Sequence, residues 1–203
     1  MSDAQGGLRV RGMPSGRLEA FTDGVVAIII TIMVLELKVP RDGSFAALSD
    51  SVPVLLAYVL AFVNVGLYWN NHHHLMHATE RIDGKVLWAN LALLFWLSLV
   101  PFVIRWLDES GFAPLATAAY GVVLGMTAIS YNVTERAIVA CNGQDSDLAR
   151  ALGHDLKGKL SIACYLVAIP AAFLARPLAL ALYLAVLAMW LVPDRRIEQM
   201  IRD

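Results

Sequence analysis

Six stretches of mostly apolar residues, separated by short polar segments, run through this chain of 203 residues. They cover residues 18–37, 52–68, 86–106, 114–133, 160–175 and 178–192. A helix needs about 20 apolar residues to cross the hydrocarbon core of a bilayer. Shorter helices are accommodated by local thinning of the bilayer, by snorkelling of flanking residues or by surrounding protein. The pattern therefore predicts an all-α, polytopic membrane protein with six transmembrane helices, of which the last two are short.

The composition agrees with a membrane protein that has no separate soluble domain. Hydrophobic residues make up 58% of the chain and charged residues 16%, whereas about 25% of residues are charged in ordinary soluble domains. We expect a flexible cytoplasmic N-terminus over residues 1–16, a single six-helix domain over 17–193 and a cytoplasmic tail over 194–203. The connection over residues 134–159 is predicted to be a solvated loop, with a short amphipathic helix near 148–152.

Positive charges test that layout independently, because Lys and Arg collect in cytoplasmic loops. Twelve of the 16 Lys and Arg residues fall on one side of the six-span layout, which places both termini in the cytoplasm. The formal net charge is -1 and no Lys/Arg cluster with interleaved aromatics occurs, which argues against nucleic acid as a partner. The spacing of Cys141 and Cys164 indicates neither a disulfide framework nor a zinc site.

The first apolar segment has two different helix faces. At about 100° per residue, Ile28, Ile32 and Leu35 form one stripe, Thr31 borders that stripe, and Asp23 points about 140° away from Ile28. If this helix approached the symmetry axis of an oligomer, the stripe would form stacked rings, and hydrophobic constrictions of that kind gate pores by dewetting. A stripe of Ile and Leu is also typical of ordinary helix packing, so the residues alone leave both interpretations open.

Charged side chains in a membrane helix usually face a bundle interior, a partner or water. Asp23 follows Arg17 by six residues, which is roughly 9 Å of helix. Both can therefore also lie at the cytoplasmic interface as a charge pair that anchors the helix, with Arg17 snorkelling. Two other features favour structural roles. Arg105 is expected to snorkel to the interface at a span end. Gly121 and Gly125 have the spacing of a close contact between helices.

The first apolar segment opens with the motif Arg17-x-x-x-Phe21-Thr22-Asp23, followed by an apolar run that ends near Pro40. In this motif and run the segment resembles the first helix of the transmembrane protein 175 family of potassium channels. Serine is commoner in the family where this chain has Thr22, so the hydroxyl is kept and a methyl is added. A second stretch is similar to the Asn-His-His sequence of prokaryotic members: Asn71-His72-His73-His74-Leu75-Met76.

The resemblance implies a homotetramer of six-helix subunits in a bacterial plasma membrane, with passive potassium conduction and neither an enzymatic activity nor a cofactor. The pore would be lined by the first helix, with its constriction on Ile28, followed by Ile32 and Leu35, and with Thr31 near the position linked to potassium preference. The remaining motif residues would form a supporting or gating network: Arg17, Phe21, Thr22, Asp23, Asn71, His72, His73 and His74.

The histidines leave other functions open. His73 and His77 share a helix face and could bind zinc, but no acidic residue stands in an HExxH arrangement and a third ligand is missing, so we predict no metal site. Hydrogen bonding to the first helix or solvation at the interface is favoured instead. An imidazole in contact with Asp23 would make conduction sensitive to pH. The alternative function is a proton- or metal-coupled transporter that uses Asp23 and His72–His74, and a membrane metallohydrolase is least favoured because no general base is apparent.

Overall fold

The computed structural model describes residues 13–37, 39–79, 81–143, 149 and 155–191. In those residues the chain is all-α, apart from an isolated antiparallel bridge between Met13 and Ile82. Seven helices have both ends within these described ranges: α1 (Gly16–Leu35), α2 (Phe45–His77), α3 (Gly84–Ser98), α4 (Val100–Glu109), α5 (Pro114–Asn142), α6 (Leu156–Leu174) and α7 (Arg176–Leu191). Most of the predicted N-terminal segment, the predicted tail over 194–203 and most of the predicted helix near 148–152 lie outside the described residues.

The apolar segments correspond to helices that fit a multi-pass membrane protein. Helices α1, α2, α5 and α6 are each long and apolar enough to cross a bilayer, and so is the combined stretch Gly84–Glu109 that contains α3 and α4. Helix α7 is apolar but has only 16 residues, which agrees with the short last segment predicted from the sequence.

Two helices extend well beyond their apolar segments. Helix α2 begins after Ser44, whose hydroxyl accepts a hydrogen bond from the backbone of Ala47, and continues through the histidines to His77. Helix α5 continues to Asn142 and α6 begins at Leu156, so the prediction of a solvated loop over residues 134–159 is wrong for its first nine and its last four residues. Hydropathy reports which residues suit lipid, whereas a helix continues wherever its backbone hydrogen bonds are made.

Local chemistry explains where several helices begin and end. The Asp83 carboxylate accepts from the backbone of Lys85 and Val86 and so caps α3. The third apolar segment divides at Leu99, two residues before Pro101, which lacks the N–H needed to continue the helix ladder. Helix α5 ends at Asn142, directly before Gly143, whose φ of 103° suits glycine.

Two apolar cores hold the helices together. The larger one joins buried residues of α1 to α5, and the smaller one joins α5, α6 and α7, so α5 belongs to both. The predicted close contact at Gly121 and Gly125 is present: a Cβ built on Gly121 would meet the hydroxyl of Tyr183, and one built on Gly125 would lie 3.3 Å from Cβ of Tyr165. Small residues therefore let α6 and α7 approach α5.

The start of α1 is fixed beside the turn between α2 and α3. Met13 and Ile82 exchange two backbone hydrogen bonds of 3.0 and 3.1 Å. The Ser15 hydroxyl donates to the backbone carbonyl of Thr79 over 3.1 Å. These bonds place the first turns of α1 next to the last turns of α2, where the predicted network residues lie.

Candidate pore helix and its supporting network

Helix α1 buries one face in its own subunit and leaves the opposite face uncovered. The buried residues recur every three or four positions: Leu18, Thr22, Val26, Ile29 and Met33. The predicted stripe lies on the uncovered face, where Ile28 is 58% exposed, Ile32 42% and Leu35 79%. A helix with an apolar face free of its own subunit can turn that face towards lipid, another subunit or a pore.

Thr31 is exposed beside this stripe, and its hydroxyl is held within the helix. Its Oγ1 donates to the backbone carbonyl of Ile28 over 2.9 Å. Because a hydroxyl oxygen also has two lone pairs, the group remains able to accept a hydrogen bond or to approach a cation. The bond joins the two residues that helical geometry predicts to be neighbours.

A buried polar chain connects α1, α3 and α2. The side-chain amide of Asn90 donates to the Thr22 hydroxyl over 2.9 Å, and its carbonyl oxygen lies 2.8 Å from Nε2 of His72. Thr22, Asn90 and His72 are each at most 1% exposed. Buried polar groups that satisfy one another fix the relative rotation of the helices that carry them. The second ring nitrogen of His72, Nδ1, has no hydrogen-bond partner within the described part of the chain.

The Asp23 carboxylate faces α2. It accepts a 2.8 Å hydrogen bond from the indole Nε1 of Trp69 and is half-buried. The sequence analysis considers a histidine as the partner of Asp23, but the partner in this structure is the Trp69 indole. The histidine contact is made one turn earlier on α1, at Glu19. The reason is the rotation of α2, which presents Trp69 and His73 to successive turns of α1.

His73 makes that second contact. Its Nδ1 lies 2.8 Å from Oε1 of Glu19, and its ring stacks on Trp69 at a centroid distance of 5.9 Å and an angle of 20°. The ring of His77 lies 5.1 Å from that of His73. The hydrogen bonding to the first helix that the sequence favours for these histidines is therefore made directly by His73 and through Asn90 by His72.

The remaining motif residues stay outside these contacts. Arg17 and Phe21 are exposed at the start of α1, and Phe21 is 52% exposed. His74 is half-buried, with its ring 5.7 Å from that of His73. Asn71 lines a small cavity between α2, α5, α6 and α7, away from α1. The structure thus separates the motif into residues that join α1 to its own subunit and residues that do not.

Three residues in these contacts are absent from the sequence-based set. Asn90 had a usable signal, because it is an amide inside an apolar segment, where polar side chains are rare and usually have a partner. Trp69 and Glu19 had weaker signals, since a tryptophan near a span end and an acid in the first helical turn are ordinary features.

The far end of α1 is joined to α4 by charge. Nη1 of Arg105 lies 2.9 Å from Oε2 of Glu36, the residue that follows α1, and its Nε donates to Glu109 over 3.1 Å. The Arg105 side chain is 55% exposed. Arg105 is therefore exposed near the end of a span and is also paired with two carboxylates. One of them, Glu36, links the end of α1 to α4.

Comparison with known proteins gives consistent matches. A family model described as the endosomal/lysosomal potassium channel TMEM175 matches residues 17–101. A potassium channel of Chryseobacterium sp. (strain P1-3) is 48% identical over 191 residues, which cover 94% of this chain and 100% of that protein. The human endosomal/lysosomal proton channel TMEM175 is 39% identical over 92 residues, which cover 39% of this chain and 18% of that protein.

A solved structure also has this fold. The crystal structure of a lysosomal potassium-selective channel TMEM175 homologue from Chamaesiphon minutus matches with a TM-score of 0.74 and 28% sequence identity. The match covers 88% of this chain and 96% of that chain.

Proposed function

Because the chain belongs to the TMEM175 family of potassium channels, which are ion channels and not enzymes, we propose that it conducts potassium as a homotetramer around four copies of α1. The subunit is a multi-pass membrane protein. We place it in a bacterial plasma membrane, with both termini cytoplasmic, on the strength of the bacterial relative and of the distribution of positive charge.

One observation carries the assignment of the pore helix. Ile28, Ile32 and Leu35 lie exposed on a single face of α1, while its other face packs against its own subunit. Around a symmetry axis this face would give successive rings of four branched side chains, the first at Ile28. Such rings exclude bulk water and set the barrier that a permeating ion must cross.

The proposed mechanism is passive conduction. A potassium ion would pass the Ile28 ring partly dehydrated, and sodium would be disfavoured because it holds its water more strongly. The Thr31 hydroxyl, one turn away along the same face, would supply oxygen ligands next to the constriction. Selectivity would then come from pore width and from these hydroxyls.

The polar contacts at the start of α1 would keep the pore face in register. Thr22 is bound to Asn90, Asp23 to Trp69 and Glu19 to His73, so three residues in the first two turns of α1 are held by α2 and α3. A rotation of α1 by one residue, about 100°, would replace Ile28 at the axis by a neighbour and break these bonds. This supporting role suits Asp23 better than direct ion coordination.

Ion flux into liposomes that contain the purified full-length protein tests the proposal. We expect potassium flux down its gradient, smaller sodium flux and no stoichiometric coupling to protons, with protein-free liposomes as the control. Proton flux is measured as well, because the human relative is named a proton channel. Potassium movement that required an opposing or accompanying proton gradient would instead favour the coupled transporter that uses Asp23 and the histidines.

A further inference from the structure

Three metal-binding side chains from two helices come together beside the network. Glu19 belongs to the first turn of α1, and His73 and His77 belong to the last turns of α2. One ligand atom of each residue can be chosen such that all three atoms lie within 4.8 Å of one another. A zinc site needs at least three protein ligands. The sequence pattern shows only two of them, His73 and His77 on one face of α2. The third, Glu19, lies on a different helix, so only the folded structure brings the three together.

Two of the three residues are already oriented towards each other. Nδ1 of His73 lies 2.8 Å from Oε1 of Glu19, and the Trp69 ring stacks on His73. His77 follows His73 by one helical turn, which places both imidazoles on the same face of α2. Ligands at about 2.0–2.2 Å from a tetrahedral zinc ion lie about 3.3–3.6 Å apart, so side-chain rotations alone would bring these atoms into range.

The chemistry of the donors selects the class of metal. Imidazole nitrogens suit zinc, copper, nickel and iron, whereas calcium and magnesium prefer oxygen ligands alone. Two histidines and one carboxylate form a three-ligand set that zinc binds with a water molecule in the fourth position. His77 is exposed and the side chains of His73 and Glu19 are 39% and 20% exposed, so an ion can enter from solvent.

From this geometry we infer that Glu19, His73 and His77 form a binding site for a divalent transition-metal ion, with zinc as the best fit. A bound ion would replace the hydrogen bond between Glu19 and His73 by two metal bonds and would add His77 to the connection between α1 and α2. The site lies one helical turn from Thr22 and Asp23, and binding there requires no assumption about conduction.

Calorimetric titration of zinc chloride into the tag-free, full-length protein in detergent at neutral pH tests the inference. We expect one zinc ion per chain and no binding of magnesium. Loss of an outer-shell partner of a metal ligand already costs about 10- to 100-fold in affinity, so Glu19→Gln and His77→Gln are each expected to weaken zinc binding at least that much. His74→Gln is the matched control, because it removes a neighbouring imidazole outside the three-residue set.

Three results would overturn the assignment: no saturable zinc binding by the wild-type protein, undiminished affinity in Glu19→Gln and His77→Gln, or an equal loss in His74→Gln. Both test variants change solvent-accessible side chains, and circular dichroism checks that each variant stays folded. The absorption spectrum of bound cobalt gives a second readout, since a tetrahedral site with nitrogen and oxygen ligands yields d–d bands that Glu19→Gln should alter.

Discussion

The side-chain amide of Asn90 donates a 2.9 Å hydrogen bond to the hydroxyl of Thr22 in the buried contact between α3 and α1. The two residues are 68 positions apart in the chain. The other end of the amide meets His72, so one side chain joins three helices. A buried group with two such partners is costly to remove, because both partners are left without a hydrogen bond.

Asn90→Leu should therefore destabilise the subunit by about 1–3 kcal/mol. The leucine fills a similar volume but leaves the Thr22 hydroxyl and Nε2 of His72 unpaired. Denaturant or thermal unfolding in detergent measures the change.

Two substitutions at Thr22 provide the comparison. Thr22→Val keeps the shape of the side chain and removes the oxygen that accepts the bond from Asn90. It should lower the stability of the subunit by about 0.6–1.7 kcal/mol, which is the range from the average to the strongest hydrogen bond between membrane helices. Thr22→Ser keeps the hydroxyl and should stay near wild type. Equal stability of all three variants would contradict a structural role for the Asn90 bond.

Removal of the bond between Trp69 and Asp23 should loosen α1 while leaving ion preference unchanged. Trp69→Phe deletes the indole N–H but keeps a ring to stack on His73. We expect a loss of about 0.5–1.5 kcal/mol and an altered open probability in planar bilayers. Asp23→Asn, which retains an oxygen acceptor, should have the milder effect. A change of potassium over sodium preference in either variant would indicate that Asp23 contacts the ion directly.

Ile28→Asn should raise conductance and weaken the preference for potassium, because a polar ring hydrates the constriction. A two- to tenfold rise corresponds to a barrier lowered by about 0.4–1.4 kcal/mol. Single-channel recording measures both quantities. Val34→Asn is the control: Val34 is also exposed, at 47%, but lies about 120° from Ile28 around the helix. Unchanged conductance and ion preference in Ile28→Asn would show that Ile28 does not line the pore.

Gly121→Ala should destabilise the contact between α5 and α7 by about 1–3 kcal/mol, the usual cost of overpacking. The added Cβ would meet the Tyr183 hydroxyl and would lie 3.2 Å from Cγ1 of Ile169. Tyr183 donates that hydroxyl to the backbone carbonyl of Thr117 over 3.0 Å, so it cannot simply move away.

Thermal unfolding of Gly121→Ala, Tyr183→Phe and the double variant measures this coupling. The double variant should be more stable than the sum of the single effects predicts, because Phe removes the closer of the two Tyr183 atoms that the new Cβ would meet and leaves only Cζ, at 2.9 Å. Gly125→Ala should cost less, since its Cβ would only approach Cβ of Tyr165 at 3.3 Å. Strictly additive effects would mean that the hydroxyl does not limit the space at Gly121.

Part of this architecture follows from the sequence alone. Apolar length predicts the membrane helices, and the helical period separates Ile28, Ile32 and Leu35 from Asp23 without knowledge of any neighbour. The structure places that stripe on the uncovered face of α1 and places Asp23 against α2. Such properties depend on residues a few positions apart, which helix geometry relates directly.

The partners of α1 were decided by tertiary structure. Hydropathy shows that a segment enters the membrane but leaves its rotation about its own axis undetermined, and that rotation selects Trp69 for Asp23 and His73 for Glu19. The continuation of α5 to Asn142 likewise depends on burial of Thr134 and Ile138 in the folded subunit. Helical periodicity alone assigns each α1 residue to a face. Only the packing of α2 and α3 against that helix decided what each face meets, because these contacts join residues that are distant in the chain.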